Sequence, residues 1–349
     1  MRGFYTLTAV VIIASLCGGC YLSQSIQGQL KLMSKRQPID RVLADPHTSA
    51  AMRSQLSAVT EIRDFAWREL RLPNNGSYRS YADVGRPYVV WNVFAAPEFS
   101  LQPRQWCYPV VGCVAYRGYF SERRARDFAQ TLRLRGMDVS VGGVAAYSTL
   151  GHFNDPVLNT MLGWSDVQLA SIIFHELTHQ LLYIPGDAPF NEALASTVEE
   201  EGVRRWLKSQ GREKDLQEYA LQKNHYDQVA ALLIDTRHRL LGIYNNVEDA
   251  ATIRAKKTEV FAALQVSYER LKADWGGRAP LDYLFRAQIN NADLISVETY
   301  RSCVPDFERE LAAAGGDLGV FYARVRQLAK LTPDARDALL ECRRMRVSP

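Results

Sequence analysis

His175-Glu176-Leu177-Thr178-His179 is where residue type and spacing in this 349-residue chain spell out a reaction. Positions four apart stand one above the other on a helix, so His175 and His179 can reach one metal ion from the same face. Glu176 points to the side, toward the water such an ion would polarise. Two imidazoles and a carboxylate in this order suit zinc and metal-assisted hydrolysis. His175 and His179 would be ligands, and Glu176 the general base.

The surrounding residues predict the helix that this chemistry needs. Ser165-Asp166-Val167-Gln168 reads as a capping box, and Leu169, Ile172, Ile173, Leu177 and Leu181 form a broad apolar face. Pro185-Gly186 ends the pattern. Between Asp166 and Asp187 the only Asp, Glu, Lys or Arg is Glu176, as expected of a buried helix. A catalytic zinc needs a third protein ligand. A second helical pattern downstream, Phe190 to Gly202, offers Glu192 and Glu199, seven positions apart on one face.

His175-Glu176-x-x-His179 followed by Asn191-Glu192-Ala193 resembles the gluzincin metallopeptidases, the group of thermolysin and the zinc aminopeptidases. Asn191-Glu192-x-x-Ala195-x-x-x-Glu199-x-x-Gly202 is similar to the aminopeptidase version. Nearly the whole mature chain also resembles a family of bacterial proteins designated aminopeptidases, often lipoproteins. That likeness runs through Trp106-Cys107-Tyr108-Pro109, Tyr116-Arg117-Gly118-Tyr119-Phe120, Ala146-Tyr147-Ser148-Thr149-Leu150-Gly151 and Asn290-Asn291-Ala292. The resemblance implies Glu192 as third zinc ligand; Glu199 is then read as the carboxylate that orients a ligating imidazole, the alternative being one member of a solvated Glu199-Glu200-Glu201 run. Twelve residues separate His179 from Glu192, a short loop for this group, which keeps Glu199 open as a rival ligand. Thermolysin carries an acid four positions after its ligand Glu. Here that position is Ser196, so another group must orient His175.

The resemblance also implies a peptide substrate added as a strand along a sheet edge upstream of the zinc helix. Val139 to Thr149 is the matching segment, with Gly143, Ala145 and Ala146 as substrate-binding candidates and Gly142-Gly143 permitting close approach. No acidic residue occurs between Asp138 and Asp155, so the carboxylate that captures a free amino group in zinc aminopeptidases must come from elsewhere. Endopeptidase action stays open. An oxyanion-stabilising Tyr or His is expected from the C-terminal part. Tyr300 is the choice there, with Tyr283, His225 and His238 as competitors; His47 and His152 lack ligand spacing.

Arg2, the apolar run from Phe4 to Leu16, and Gly18-Gly19-Cys20 form a signal-peptide pattern too short for a comfortable membrane span. Cys20 resembles the lipid-modified first residue of a bacterial lipoprotein, although Cys17 stands where an aliphatic residue is usual. The expected location is therefore the bacterial cell envelope, lipid-anchored to a membrane and facing the periplasm, with secretion to the periplasm as the alternative. In that oxidising compartment Cys107 with Cys113, and Cys303 with Cys342, are the candidate disulfides.

A formal net charge of +4, 47% hydrophobic and 23% charged residues describe an ordinary globular chain and give no reason to expect nucleic acid. The predicted fold is α+β. A signal segment (1–20) precedes N-terminal helices and a zincin-like catalytic unit with a small mixed sheet (21–202), and a mainly helical lobe follows (203–349). The expected function is a zinc-dependent peptidase, an aminopeptidase by resemblance, with one Zn2+ per chain. Two alternatives remain: a zinc endopeptidase or amidase, and a non-catalytic envelope lipoprotein that binds a peptide or protein.

Overall fold

The computed structural model describes residues 21, 23–108, 112–146, 148–246, 248–286, 288–295 and 303–340. Helix α1 covers residues 23–34. It is followed by β1 (Gln37–Pro38), α2 (Ile39–Ala44), α3 (Ala50–Arg68), β2 (Ser80–Ala82), β3 (Val90–Pro97), β4 (Trp106–Tyr108), β5 (Gly112–Val114) and β6 (Tyr116–Tyr119). Next come α4 (Glu122–Arg133), β7 (Met137–Val144), β8 (Val157–Leu158), α5 (Asp166–Leu181) and α6 (Ala188–Ser209). The remainder is helical: α7 (Glu213–Tyr244), α8 (Ala250–Asp274), α9 (Asp282–Phe285), α10 (291–295), α11 (Val304–Ala313), α12 (Leu318–Ala329) and α13 (Pro333–Leu340). The class is α+β, as the residue pattern predicts.

Instead of one small mixed sheet, the strands divide into three. β6-β3-β7 is antiparallel, β1-β2-β8 pairs its last two strands in parallel, and β4-β5 is a hairpin. Strand β3 alternates Trp91, Val93 and Ala95 onto a buried face where Ala125, Ala129 and Leu132 of α4 cover it. That is the period-2 pattern meeting the helical one.

Helix α5 begins as the sequence reads. Ser165 Oγ accepts from the Gln168 N–H at 3.2 Å, and Gln168 Oε1 accepts from the Ser165 N–H at 3.0 Å. Its apolar face, Leu169, Ile173, Phe174 and Leu177, enters the largest core with α3 and α6. Gly202 lets α6 lie close there: a Cβ at that position would stand 2.7 Å from both Phe174 Cδ2 and Leu70 Cδ1. Gly202→Ala should therefore destabilise the fold by about 1–3 kcal/mol, although alanine is the better helix former. An unchanged urea midpoint would contradict that close contact.

The helical half contributes to two packing units. Helix α6 runs past residue 202, and α11, α12 and α13 return Phe307, Phe321, Val325 and Leu340 to the α3-α5-α6 core. Helices α7 to α10 form another cluster around Leu233, Leu264, Tyr268, Phe285 and Leu294, with Leu101 inserted from the strand side. Asn291 ties that cluster to the sheet. Its buried amide donates to the carbonyls of Pro97, Glu98 and Ser100, and its Oδ1 accepts from the Tyr244 hydroxyl.

Candidate metal centre

A tight turn brings α5 and α6 together, and Asn191 fixes it. The Asn191 side chain accepts from the Ile184 N–H and donates to the Ile184 carbonyl, both at 2.8 Å. Gly186 takes φ +80° in this turn, a conformation open to glycine at little cost. Asp187 caps α6 by accepting from the Phe190 N–H at 3.4 Å.

With the two helices so fixed, three donor atoms converge. His175 Nε2 lies 3.2 Å from His179 Nε2 and 3.2 Å from Glu192 Oε2, and His179 Nε2 lies 3.7 Å from that oxygen. Ligands about 2.0–2.1 Å from a tetrahedral ion stand about 3.3 Å apart. The set therefore fits zinc in donor type and spacing. Glu199 approaches the other side of the ring, with its Oε2 2.9 Å from His175 Nδ1 and its Oε1 accepting from the Ser171 hydroxyl. Glu192 thus faces the Nε2 atoms, while Glu199 faces Nδ1. An Nδ1–H donated to Glu199 leaves the His175 Nε2 lone pair for a cation.

The electrostatics also ask for positive charge. Burial disfavours protonated His175, yet hydrogen bonds to Glu192 and Glu199, and their charges, outweigh burial and hold its pKa well above the usual value. Burial pushes the Glu192 carboxyl up, but the two histidines bring it down to about 2. A proton shared among these groups stands where a divalent ion would supply more charge, so ion uptake should release protons. Glu199→Ala should lower affinity for a divalent ion about 10- to 100-fold, read by competition with a chromophoric chelator. Unchanged affinity would mean that Glu199 does not support the donor set.

Glu176 is buried beside the donors. Burial raises its pKa, opposed by the charges of His179 and His175 and assisted by those of Glu192 and Asp155. Two tyrosines accompany it that carry no spacing signal in the sequence. Tyr116, on β6, keeps 40% of its surface accessible. The protein around its hydroxyl, then the charge of Glu192, the neighbouring Tyr183 and the charge of Glu176 push that group above its ordinary range. Tyr78 is buried with φ +59°, unusual for a bulky residue, and feels burial first, then Glu176 and Asp155. Ser171 could have been found by spacing, since it lies four positions before His175 on the α5 face; Tyr183 lies past the extended Leu182 that ends the helix. The Tyr183 ring meets the His179 ring edge-on, centroids 6.3 Å apart.

The other expected positions fall elsewhere. Strand β7 includes Gly143 but stops at Val144, so Ala145 and Ala146 belong to the following connection. The Ala145 carbonyl accepts from the Thr160 hydroxyl, and Ala146 packs on the main core. A Cβ at Gly143 would fall 2.3 Å from the Tyr88 ring, so the close approach there is made by Tyr88. Asp155 spends its carboxylate on the Thr149 N–H and hydroxyl and on Ser148. Tyr283 is 63% exposed on α9, and His225 stacks on Trp275 with centroids 4.0 Å apart. Cys107 and Cys113 are joined by a disulfide, and Cys303 is disulfide-bonded. Tyr300, Cys342 and Cys20 lie outside the described residues.

No curated protein and no solved structure matches the chain. The family model described as "Putative aminopeptidase" matches residues 20–340, nearly the full length, and the chain belongs to that family.

Proposed function

We propose that the chain is a zinc-dependent peptidase in which His175, His179 and Glu192 hold the ion and Glu176 handles the protons. The observation that carries this reading is the convergence of three donor atoms within 4.8 Å of one another, beside a buried carboxylate. A divalent ion held there supplies Lewis acidity, lowering the pKa of a water and polarising a carbonyl. Glu176 takes the proton of the attacking water and delivers it to the departing amine nitrogen; its raised pKa suits both transfers. Glu199 and Ser171 keep His175 oriented. Tyr116, whose hydroxyl stays protonated among these carboxylates, donates to the oxyanion as it develops.

Glu176 also favours catalysis over a binding role, since metal ligation alone needs no general base. Asp155 is committed to its own loop and is a poor candidate for capturing a substrate's amino group. The test incubates the soluble chain from Tyr21 with a mixed peptide library, with zinc and after chelation, and reads the products by mass spectrometry. Stepwise loss from free N-termini is the expected result. Internal cuts would make it an endopeptidase, and zinc-independent products or none from the zinc-loaded protein would overturn the reading.

A further inference from the structure

We propose that helix α1 is a membrane-docking surface, seated through Ile26 and Leu30 on the bilayer that holds the lipid of Cys20. The inference rests on Cys20 carrying acyl chains, and it adds a contact made by the folded protein itself. Helix α1 has a committed inner face. The Gln24 amide donates to the Gly118 carbonyl, Gln24 Oε1 accepts from the Phe120 N–H, and Leu32 enters the main core. Gly28 lies so near Phe120 that a Cβ would fall 2.2 Å from the ring. Ile26 and Leu30, roughly half a helical turn from this face, are 58% and 63% exposed, and Met33 continues the stripe. Lys31, Lys35 and Arg36 in the same stretch are exposed, Lys35 donating to the Asp83 carbonyl and Arg36 to the Met33 and Asn154 carbonyls, and no acidic residue occurs between Tyr21 and Ile39. An apolar stripe with cations alongside fits anionic lipid headgroups.

What covers the stripe follows from the residue next to Cys20. Tyr21 is clamped: the Arg117 guanidinium lies 3.9 Å from its ring centroid, Tyr108 stacks at 5.6 Å and Tyr119 meets it edge-on at 5.6 Å. The residue after Cys20 is therefore fixed against the protein body. Ile26 and Leu30 follow about 8 and 14 Å along the axis from Tyr21. Tyr108 belongs to the disulfide hairpin whose Gly112 approaches Gly186, in the turn between the two metal-site helices. Docking through α1 would thus bring polypeptide at the bilayer surface within reach of the candidate site.

The test uses full-length lipidated protein with an environment-sensitive fluorophore on Leu30→Cys, bound to phosphatidylethanolamine–phosphatidylglycerol vesicles. Flotation reports anchoring and fluorescence reports docking, so neither depends on peptidase activity. The expected result is a blue shift, quenched by brominated acyl chains, with no change for the same probe on Val266→Cys, which is 62% exposed on α8. The Ile26→Ser/Leu30→Ser protein should still float but transfer between vesicles about tenfold faster or more. A floating protein whose Leu30 probe stays in water would overturn the docking. Failure of the full-length protein to float would overturn its lipid basis.

Discussion

Glu176→Gln should reduce peptide turnover by about 10²- to 10⁴-fold, the usual contribution of a positioned general base, while the protein still takes up one divalent ion. The amide keeps the side chain's size and hydrogen-bonding oxygen but cannot accept a proton at neutral pH. The candidate donor atoms belong to His175, His179 and Glu192, so on the proposed reading uptake should change little. Glu176 is buried, and its charge is unfavourable there, so the neutral replacement should leave stability equal or slightly higher. Turnover by mass spectrometry, ion content by emission spectrometry and urea unfolding together separate these effects. An inactive protein that had also lost its ion would reassign Glu176 to the structure of the centre.

Arg336→Met should cost about 3–5 kcal/mol, the price of breaking a buried ion pair from one side. Arg336 is 2% exposed and Asp187 6%. The guanidinium donates to Asp187 Oδ2 and, at 3.0 Å, to the Leu331 carbonyl, and it lies over the Phe190 ring at 5.2 Å. The variant strips a buried carboxylate of that guanidinium at the N-cap of α6, the helix that carries Glu192. Metal affinity should therefore fall together with stability. Adding Asp187→Asn should recover part of the loss, because the buried charge is removed with its partner. A urea unfolding free energy within 1 kcal/mol of the parent would show that the pair contributes little.

The helices of the site were readable because their signals are local. The capping box at Ser165, the spacing of His175 and His179, and the helical pattern from Phe190 to Gly202 each reside in one stretch of chain. The division of labour between Glu192 and Glu199 was favoured by resemblance, yet spacing alone left the two carboxylates as rivals. Both occupy one face of α6, and only the packing of α6 on α5 decides which meets Nε2 and which meets Nδ1. Tyr116 stood in a motif of the family resemblance, but its role was not legible there, since the carboxylates whose charge its hydroxyl feels come from α5 and α6 while it comes from β6. Strand β7 was expected by resemblance from Val139 to Thr149, but its end was not legible, because the residues after Val144 are held by partners such as Thr160. The return of α11 to α13 to the main core likewise depends on distant apolar contacts that no single helix announces.

His175 and Glu192 are 17 positions apart, and the turn between their helices is closed by Asn191, within the same stretch. The donor set therefore has low contact order: its assembly needs one helical hairpin, not the sheet or the α7–α8 cluster. Such a hairpin can form early as the chain folds, before distant strands pair. An ion captured at that stage would act as a folding nucleus as well as a reagent, and chelation during refolding should slow recovery more than chelation of the native protein accelerates unfolding.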